Sequence, residues 1–207
     1  MPAAPAPLHA DAALLVFDKP AGLLAVPGRG PDKQDCLATR VRATYPEALS
    51  VHRLDMATSG LMLFARDPDT HRLLSRAFAL RLVKKRYLAV VAGRLAGAGE
   101  IDLPLILDWP NRPLSKVDFA TGKPSLTRWR ALGVKGESTR VELEPLTGRS
   151  HQLRVHLLAV GHPILGDELY APPGARAAAP RLLLHAAGLD LPHPATGARL
   201  AIESPVP

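Results

Sequence analysis

Val51-His52-Arg53-Leu54-Asp55-Met56-Ala57-Thr58-Ser59-Gly60, with Leu61-Met62-Leu63-Phe64-Ala65 directly after it, sets a guanidinium, a carboxylate and two hydroxyls ahead of an apolar run. The run is bounded by Gly60 and by Asp67-Pro68, and its length suits a buried strand. Asp55 is therefore predicted on a turn at the mouth of the core, where a side chain is fixed yet reachable. Arg53, two residues away, favours the ionised carboxylate. An ionised Asp55 suits a nucleophile or an anion stabiliser better than a proton donor. Asp, Ser and Gly are also ordinary turn and capping residues, and Arg–Asp neighbours are ordinary solvated pairs. The stretch alone leaves both readings open; the rest of the chain separates them.

The 207 residues suit one domain with a real core, and 47% apolar against 22% charged residues is a globular composition. Lys and Arg outnumber Asp and Glu by 26 to 19, a net charge of +7, which points to an anionic partner such as nucleic acid. Cys36 is the single cysteine, so neither an intrachain disulfide nor a Cys-based zinc site is available. No run reaches the length of a membrane span. Residues 1–13 are rich in Ala and Pro, lack a signal-peptide layout, and read as a loose tail on a cytoplasmic chain. Residues 14–207 then form the single domain.

Along the chain, Leu14–Phe17 reads as the first strand and Asp18-Lys19-Pro20-Ala21-Gly22-Leu23 as a turn. The glycines between Val26 and Asp32 lack the Lys-Ser/Thr ending of a phosphate-binding loop. Leu37, Val41 and Tyr45 are helically spaced, stopped by Pro46. Asp67-Pro68 opens a helix predicted over 68–80, with Leu73, Leu74, Ala77 and Phe78 on its apolar face. Arg81, Lys84, Lys85 and Arg86 follow; such a run either complements the helix dipole or contacts phosphate. Tyr87–Val91 reads as a buried strand. Residues 100–130 read as irregular strands and a long basic loop around Asp108-Trp109-Pro110-Asn111-Arg112-Pro113, either an RNA-gripping arm or a solvated hairpin. Residues 139–146 alternate as a half-buried strand. Leu153, Leu157 and Val160 mark a helix ended by Gly161. His151 and His156 sit about 140° apart round a helix, so no shared metal face is expected. Arg154 lies beside the apolar stripe, where an Arg needs a carboxylate partner. Leu182–Leu191 and Leu200–Ile202 read as closing strands.

These pieces fall into a pattern. His52-Arg53-Leu54-Asp55 with Thr58-Ser59-Gly60 resembles the signature of the RluA family of RNA pseudouridine synthases. Lys19-Pro20-Ala21-Gly22-Leu23 resembles the family's first strand-turn motif, and Lys84-Lys85-Arg86-Tyr87 its basic-Tyr motif. Thr147-Gly148-Arg149-Ser150-His151-Gln152-Leu153-Arg154-Val155-His156 is similar to its Thr-Gly-Arg motif. His162–Asp167 and Leu182–Ala186 also fall in family order, so the resemblance runs over residues 14–204. Leu105–Pro113 and Thr121–Pro124 carry a finer likeness to the branch that modifies both rRNA and tRNA. One departure is Asp18, where many relatives have Asn.

The resemblance implies an α+β pseudouridine-synthase fold: a long, mostly antiparallel mixed sheet with flanking helices and a central RNA-binding cleft. An appended S4-like RNA-binding domain is not expected. Asp55 becomes the nucleophile, Tyr87 packs on the flipped base, and Arg154 pairs with Asp55. Arg53 enters the RNA to displace the uridine, and Lys84, Lys85, Arg112, Arg149 and His151 bind RNA. The implied partners are a 23S rRNA hairpin loop and a tRNA anticodon stem-loop, met by a monomer. The isomerisation is redox-neutral and calls for no cofactor and no metal. Attack on the base, attack on the sugar and elimination through the ribose all stay open for Asp55. A glycoside hydrolase would need a second marked carboxylate, and a non-catalytic RNA-binding module would need more than 4% aromatic residues to build a stacking platform.

Overall fold

The computed structural model describes residues 3–206. In chain order the elements are β1 (His9–Ala10), β2 (Leu14–Lys19), α1 (Leu37–Thr44), β3 (Leu49–Ser50), β4 (Ser59–Ala65), α2 (Pro68–Ala79) and β5 (Lys84–Ala92). There follow β6 (Ala98–Asp102), β7 (Leu105–Leu107), β8 (Ser115–Val117), β9 (Leu126–Lys135), β10 (Ser138–Pro145), α3 (Gln152–Ala159), α4 (Pro173–Ala177), β11 (Leu184–Pro192) and β12 (Arg199–Glu203). The fold class is α+β. The single body expected over 14–207 is built as two compact units. One runs up to Lys84 and resumes at Ala186; the other is Lys85–His185.

In the first unit the strand order is β1-β2-β4-β11, with β3 on β4 and β12 on β11. Strands β2 and β4 pair antiparallel with Val16 opposite Leu63 and Phe17 opposite Met62. Both strands are apolar without alternation because both of their faces are covered. Leu14, Val16, Leu61 and Leu63 pack with Leu74 and Ala77 of α2. Phe17 meets Phe64 edge-on at 5.7 Å and Tyr45 at 6.1 Å. Helix α2 starts where the Asp67 carboxylate accepts from Thr70 N–H at 2.8 Å, as an N-cap should. Its apolar face is narrower than read: Leu73 is half exposed, while Leu74 and Ala77 carry the burial. Gly60 has φ +112°, and a Cβ there would stand 2.3 Å from Ala186 O, so β4 can lie against β11 only with glycine at this position.

The tail expected over residues 1–13 is tied down from Leu8 onward. Leu8 N–H donates to Val16 O, and β1 pairs with β2. The Asp11 carboxylate accepts from the Ala13 and Leu14 amides and bonds the rings of His9 and His193. The anchor is polar and its partner His193 lies 182 residues away, so no apolar periodicity announced it.

In the second unit the order is β5-β10-β9-β6, all antiparallel. Val141 and Leu143 of β10 are fully buried, in line with the alternation. The segment read as a long irregular loop is a second, small sheet: β7 pairs with β8, Leu105 opposite Val117. Helix α3 differs from the striped helix expected. Every residue from Gln152 to Leu157 is buried, and its polar side chains are consumed by internal hydrogen bonds. Among the described residues no helix is long and apolar enough to cross a membrane.

Candidate active site

In the first unit, the loop from Val51 to Thr58 links β3 to β4 and is pinned at four points. Leu54 is buried under it. His52 Nε2 accepts from Leu63 N–H at 3.0 Å while its ring stacks on Phe78. Thr58 N–H closes a turn on Asp55 O at 3.1 Å. Met56 O accepts from Gly22 N–H at 2.9 Å and from Lys19 Nζ at 3.1 Å. Asp55 is left half-buried between buried Leu54 and exposed Met56. Thr58 and Ser59 are buried at the start of β4.

Lys19 is the residue that sequence reasoning passed over. Its side chain is wholly buried at the end of β2. The ammonium donates to three carbonyls, Leu23 O at 2.7 Å, Pro20 O at 2.9 Å and Met56 O at 3.1 Å. Burial lowers its pKa from 10.5 to about 8, against the opposing charges of Asp55 and Asp18. Lys19 therefore staples the 20–23 turn to the Asp55 loop and supplies a positive charge that Asp55 feels. Arg53 is a second cation, on the loop itself. It is exposed, and among the described residues it makes no ion pair. The available signal for Lys19 was a lysine closely following the apolar run Leu14–Phe17, just before Pro20. The departure at Asp18 has a local use: its carboxylate accepts from Ser204 Oγ at 2.7 Å.

The basic run is divided: Arg81 directly follows Leu80, the C-cap of α2, whereas Lys84–Arg86 begin β5. Successive side chains of a strand alternate faces, so Lys85 and Arg86 stand on opposite faces of β5. Lys84, exposed, belongs to the first unit. In the second unit Lys85 Nζ donates to Thr147 O at 3.3 Å, and Arg86 lies 3.9 Å from Glu142. Tyr87 is half-buried, opposite Leu143.

The second unit gathers His151 and Arg154 around Asp167 and Tyr170. Within the second unit the Arg154 guanidinium is received by the carboxylate of Asp167. The two form a buried fork, Nε to Oδ2 at 2.7 Å and Nη2 to Oδ1 at 2.5 Å. Asp167 also accepts from the Leu169 and Tyr170 amides, and the guanidinium lies 5.0 Å over the Tyr170 ring. Tyr170 Oη accepts from Ser115 N–H at 2.8 Å and reaches His151 Nδ1 at 2.6 Å. Arg154's need for a carboxylate was legible; that Asp167 meets it was not, since Asp167 sits in a turn with no periodicity. His151 and His156 do part company: His151 opens α3 at φ 56°, and buried His156 bonds Thr127 Oγ1 and Leu103 O. Burial lowers the His156 pKa, keeping the ring neutral in that bonded role. Arg112 stacks over Trp109 at 4.4 Å, and Arg149 lies exposed just before α3. Among the described residues no group of three or more His, Cys, Asp or Glu is placed to hold a metal ion.

Comparison with known proteins gives these loops a common context. The family described as RNA pseudouridylate synthase matches residues 13–159. The chain is 52% identical over 200 residues to the dual-specificity RNA pseudouridine synthase RluA of Escherichia coli K12, covering 96% of this chain and 91% of that one. It is 54% identical over 192 residues to the RluA of Yersinia pestis, covering 92% and 93%. Among solved structures, human RNA pseudouridylate synthase domain containing 1 superposes with a TM-score of 0.77 at 28% identity, over 95% of this chain and 81% of that one. Human RNA pseudouridylate synthase domain containing 4 gives 0.78 at 26% identity, over 97% and 88%. Identity at this level over nearly the whole length supports one conclusion: the chain belongs to the RNA pseudouridylate synthase family, on its RluA branch.

Proposed function

We propose that this protein converts uridine to pseudouridine in two RNAs, a 23S rRNA hairpin loop and a tRNA anticodon loop, acting as a monomer in the cytoplasm. The observation that carries the reading is Asp55, half-buried on a loop held from beneath by a buried ammonium. The relatives named dual-specificity RNA pseudouridine synthase support the choice of substrates.

The reaction breaks the N1–C1′ bond, turns the uracil and joins C5 to C1′, while the C5 proton is lost and N1 gains one. The product is an isomer of the substrate. Asp55 is the nucleophile. Lys19 keeps its loop rigid, so the carboxylate meets the nucleotide without a reorganisation cost at the moment of reaction. The target must first leave the RNA stack, at about a few kcal/mol that protein contacts offset. Arg53, exposed on the same loop, is the wedge that fills the vacated place, a task suited to a planar cation that stacks and meets phosphate. Tyr87 supplies the aromatic face against the extruded base. Arg154 holds the Asp167–Tyr170 turn as a positioning residue, while Lys84, Lys85, Arg112, Arg149 and His151 grip the RNA.

The reading is tested by treating both minimal stem-loops with purified protein and mapping pseudouridine. Conversion of one uridine in each, with no change in RNA mass, is expected. Uracil release would instead mark a hydrolase, and binding without conversion a non-catalytic module.

A further inference from the structure

The second unit holds a cavity of about 370 Å³ lined by Leu105, Ile106 and Leu107 on one side and by Ser115, Thr121, Lys123, Gly148, Arg149 and Ser150 on the others. That volume falls in the range of small-ligand pockets, roughly 300–1,000 Å³. Its lining has a consistent chemistry: an apolar wall from β7, hydroxyls, and two cations. Neither Lys123 nor Arg149 pairs with a carboxylate among the described residues, although Arg128, Arg130 and Lys116 nearby in sequence all do. A concave site with two cations lacking an internal counter-charge attracts an anion.

Every wall of the cavity is held by bonds made without any ligand. Leu105 and Lys123 exchange backbone hydrogen bonds at 3.0 and 2.8 Å. Gly122 lets that chain turn, since a Cβ there would meet Asp118 O at 2.2 Å. The 147–149 turn is locked by Gln152, whose Oε1 accepts from Thr147 Oγ1 at 2.7 Å and Arg149 N–H at 3.0 Å. Gln152 Nε2 in turn donates to Leu126 O and Thr127 Oγ1. Ser115 is tied to Tyr170. A preformed site of this kind loses little entropy on binding.

We infer that this cavity receives one unpaired nucleotide of the RNA, its phosphate between Lys123 and Arg149 and its sugar or base against Leu105–Leu107. The inference rests on the synthase reading for its choice of RNA, and names a contact separate from the one at Asp55. The hydroxyls of the lining suit the ribose and phosphate oxygens, and the apolar wall suits a face that has left the stack.

The test measures binding of the anticodon stem-loop as a function of salt, for the wild type, Lys123→Gln, Arg149→Gln, the double variant and Lys123→Arg. Both residues are exposed, and a thermal melt checks that each variant is folded. Each charge removed is expected to weaken binding about ten-fold and to flatten the log Kd–log salt slope by about 0.7, the single-strand contribution of one phosphate contact. Lys123→Arg is expected to restore both. Lys135→Gln, at the β9–β10 turn, serves as the control and leaves the slope unchanged. A set of stem-loops with single methylphosphonate linkages then locates the phosphate. One linkage is expected to weaken wild-type binding while adding nothing in the double variant. Equal losses in the wild type and the double variant at every linkage overturn the inference, as does an unchanged salt slope. Binding of free uridine 5′-monophosphate with a flat linkage scan overturns it in favour of a free-nucleotide site. If the wild type converts no uridine in either stem-loop, the synthase reading falls and takes this one with it; conversion with an unaltered slope removes the pocket alone.

Discussion

Lys19 shows how much a single buried group can decide. Its ammonium offers three N–H bonds to three carbonyls, so no acceptor in the cage goes unmet while it is charged. Burial favours the neutral amine, and the sign follows: the cost of keeping it charged is present below about pH 8 and relaxes as the pH rises toward 10.5. Neutralisation leaves two N–H donors for three acceptors, so the Asp55 loop loosens above that pH. Turnover is expected to fall on the alkaline side with an apparent pKa near 8. Lys19→Met is expected to lose about 3 kcal/mol of stability and at least ten-fold in turnover, with no alkaline limb left to titrate. A Lys19→Met enzyme with full turnover and an unchanged pH profile would remove Lys19 from the account. The motif around Lys19 was visible in the sequence. Its burial was not, because a lysine at a strand end reads as a solvated terminus until the opposing loop is placed over it.

Among the elements, α3 carries the sharpest difference between pattern and structure. Leu153, Leu157 and Val160 located it, and Gly161 ended it, but the helix is buried on its polar positions as well. Gln152, Arg154 and His156 each replace water with internal partners, of which at least one lies 13 to 53 residues away. Periodicity reports which side chains avoid water, not which polar ones find a bond. Arg154→Met is expected to destabilise the fold by about 3–5 kcal/mol, since Asp167 would stay buried without its cation. Combining it with Asp167→Leu should recover much of that loss. Equal stability of the single variant and the wild type in a denaturant titration would contradict the pairing. Turnover of the stable double variant then separates positioning from chemistry: retained activity leaves Arg154 structural, and lost activity assigns it a part in the reaction. Strands β2 and β4 were legible as short bounded apolar runs, β10 by its alternation, and helices α1 and α2 by their period and their stops. The β7–β8 sheet was not, since three-residue strands carry too little pattern to register.

For the whole chain, charge and long-range polar contacts set the conditions of use. Asp11 joins the first strand to the turn after β11 through His9 and His193. Burial works against its charge. The hydrogen bonds from His9, the Leu14 and Ala13 amides and His193 outweigh that and hold its pKa far below 3.8. A depressed carboxylate stabilises the fold above its unfolded pKa, so this contribution is lost as the pH falls below about 4. It is on the order of 1 kcal/mol once solvent screening is allowed for. Asp11→Asn is expected to be less stable at pH 7 and to lose less between pH 5 and pH 2. Parallel acid-unfolding curves for the two proteins would contradict this. The family and the Asp55 loop were readable because motifs are local, whereas the anchors that make the loop rigid join distant parts of the chain. The central claim is that Asp55 performs the chemistry on both RNAs. The direct measurement is single-turnover pseudouridine formation in the rRNA and anticodon stem-loops by the wild type and by Asp55→Ala. We expect conversion of both by the wild type and a loss of at least about 10³ in Asp55→Ala with RNA affinity retained. Comparable rates in the two proteins would contradict the account.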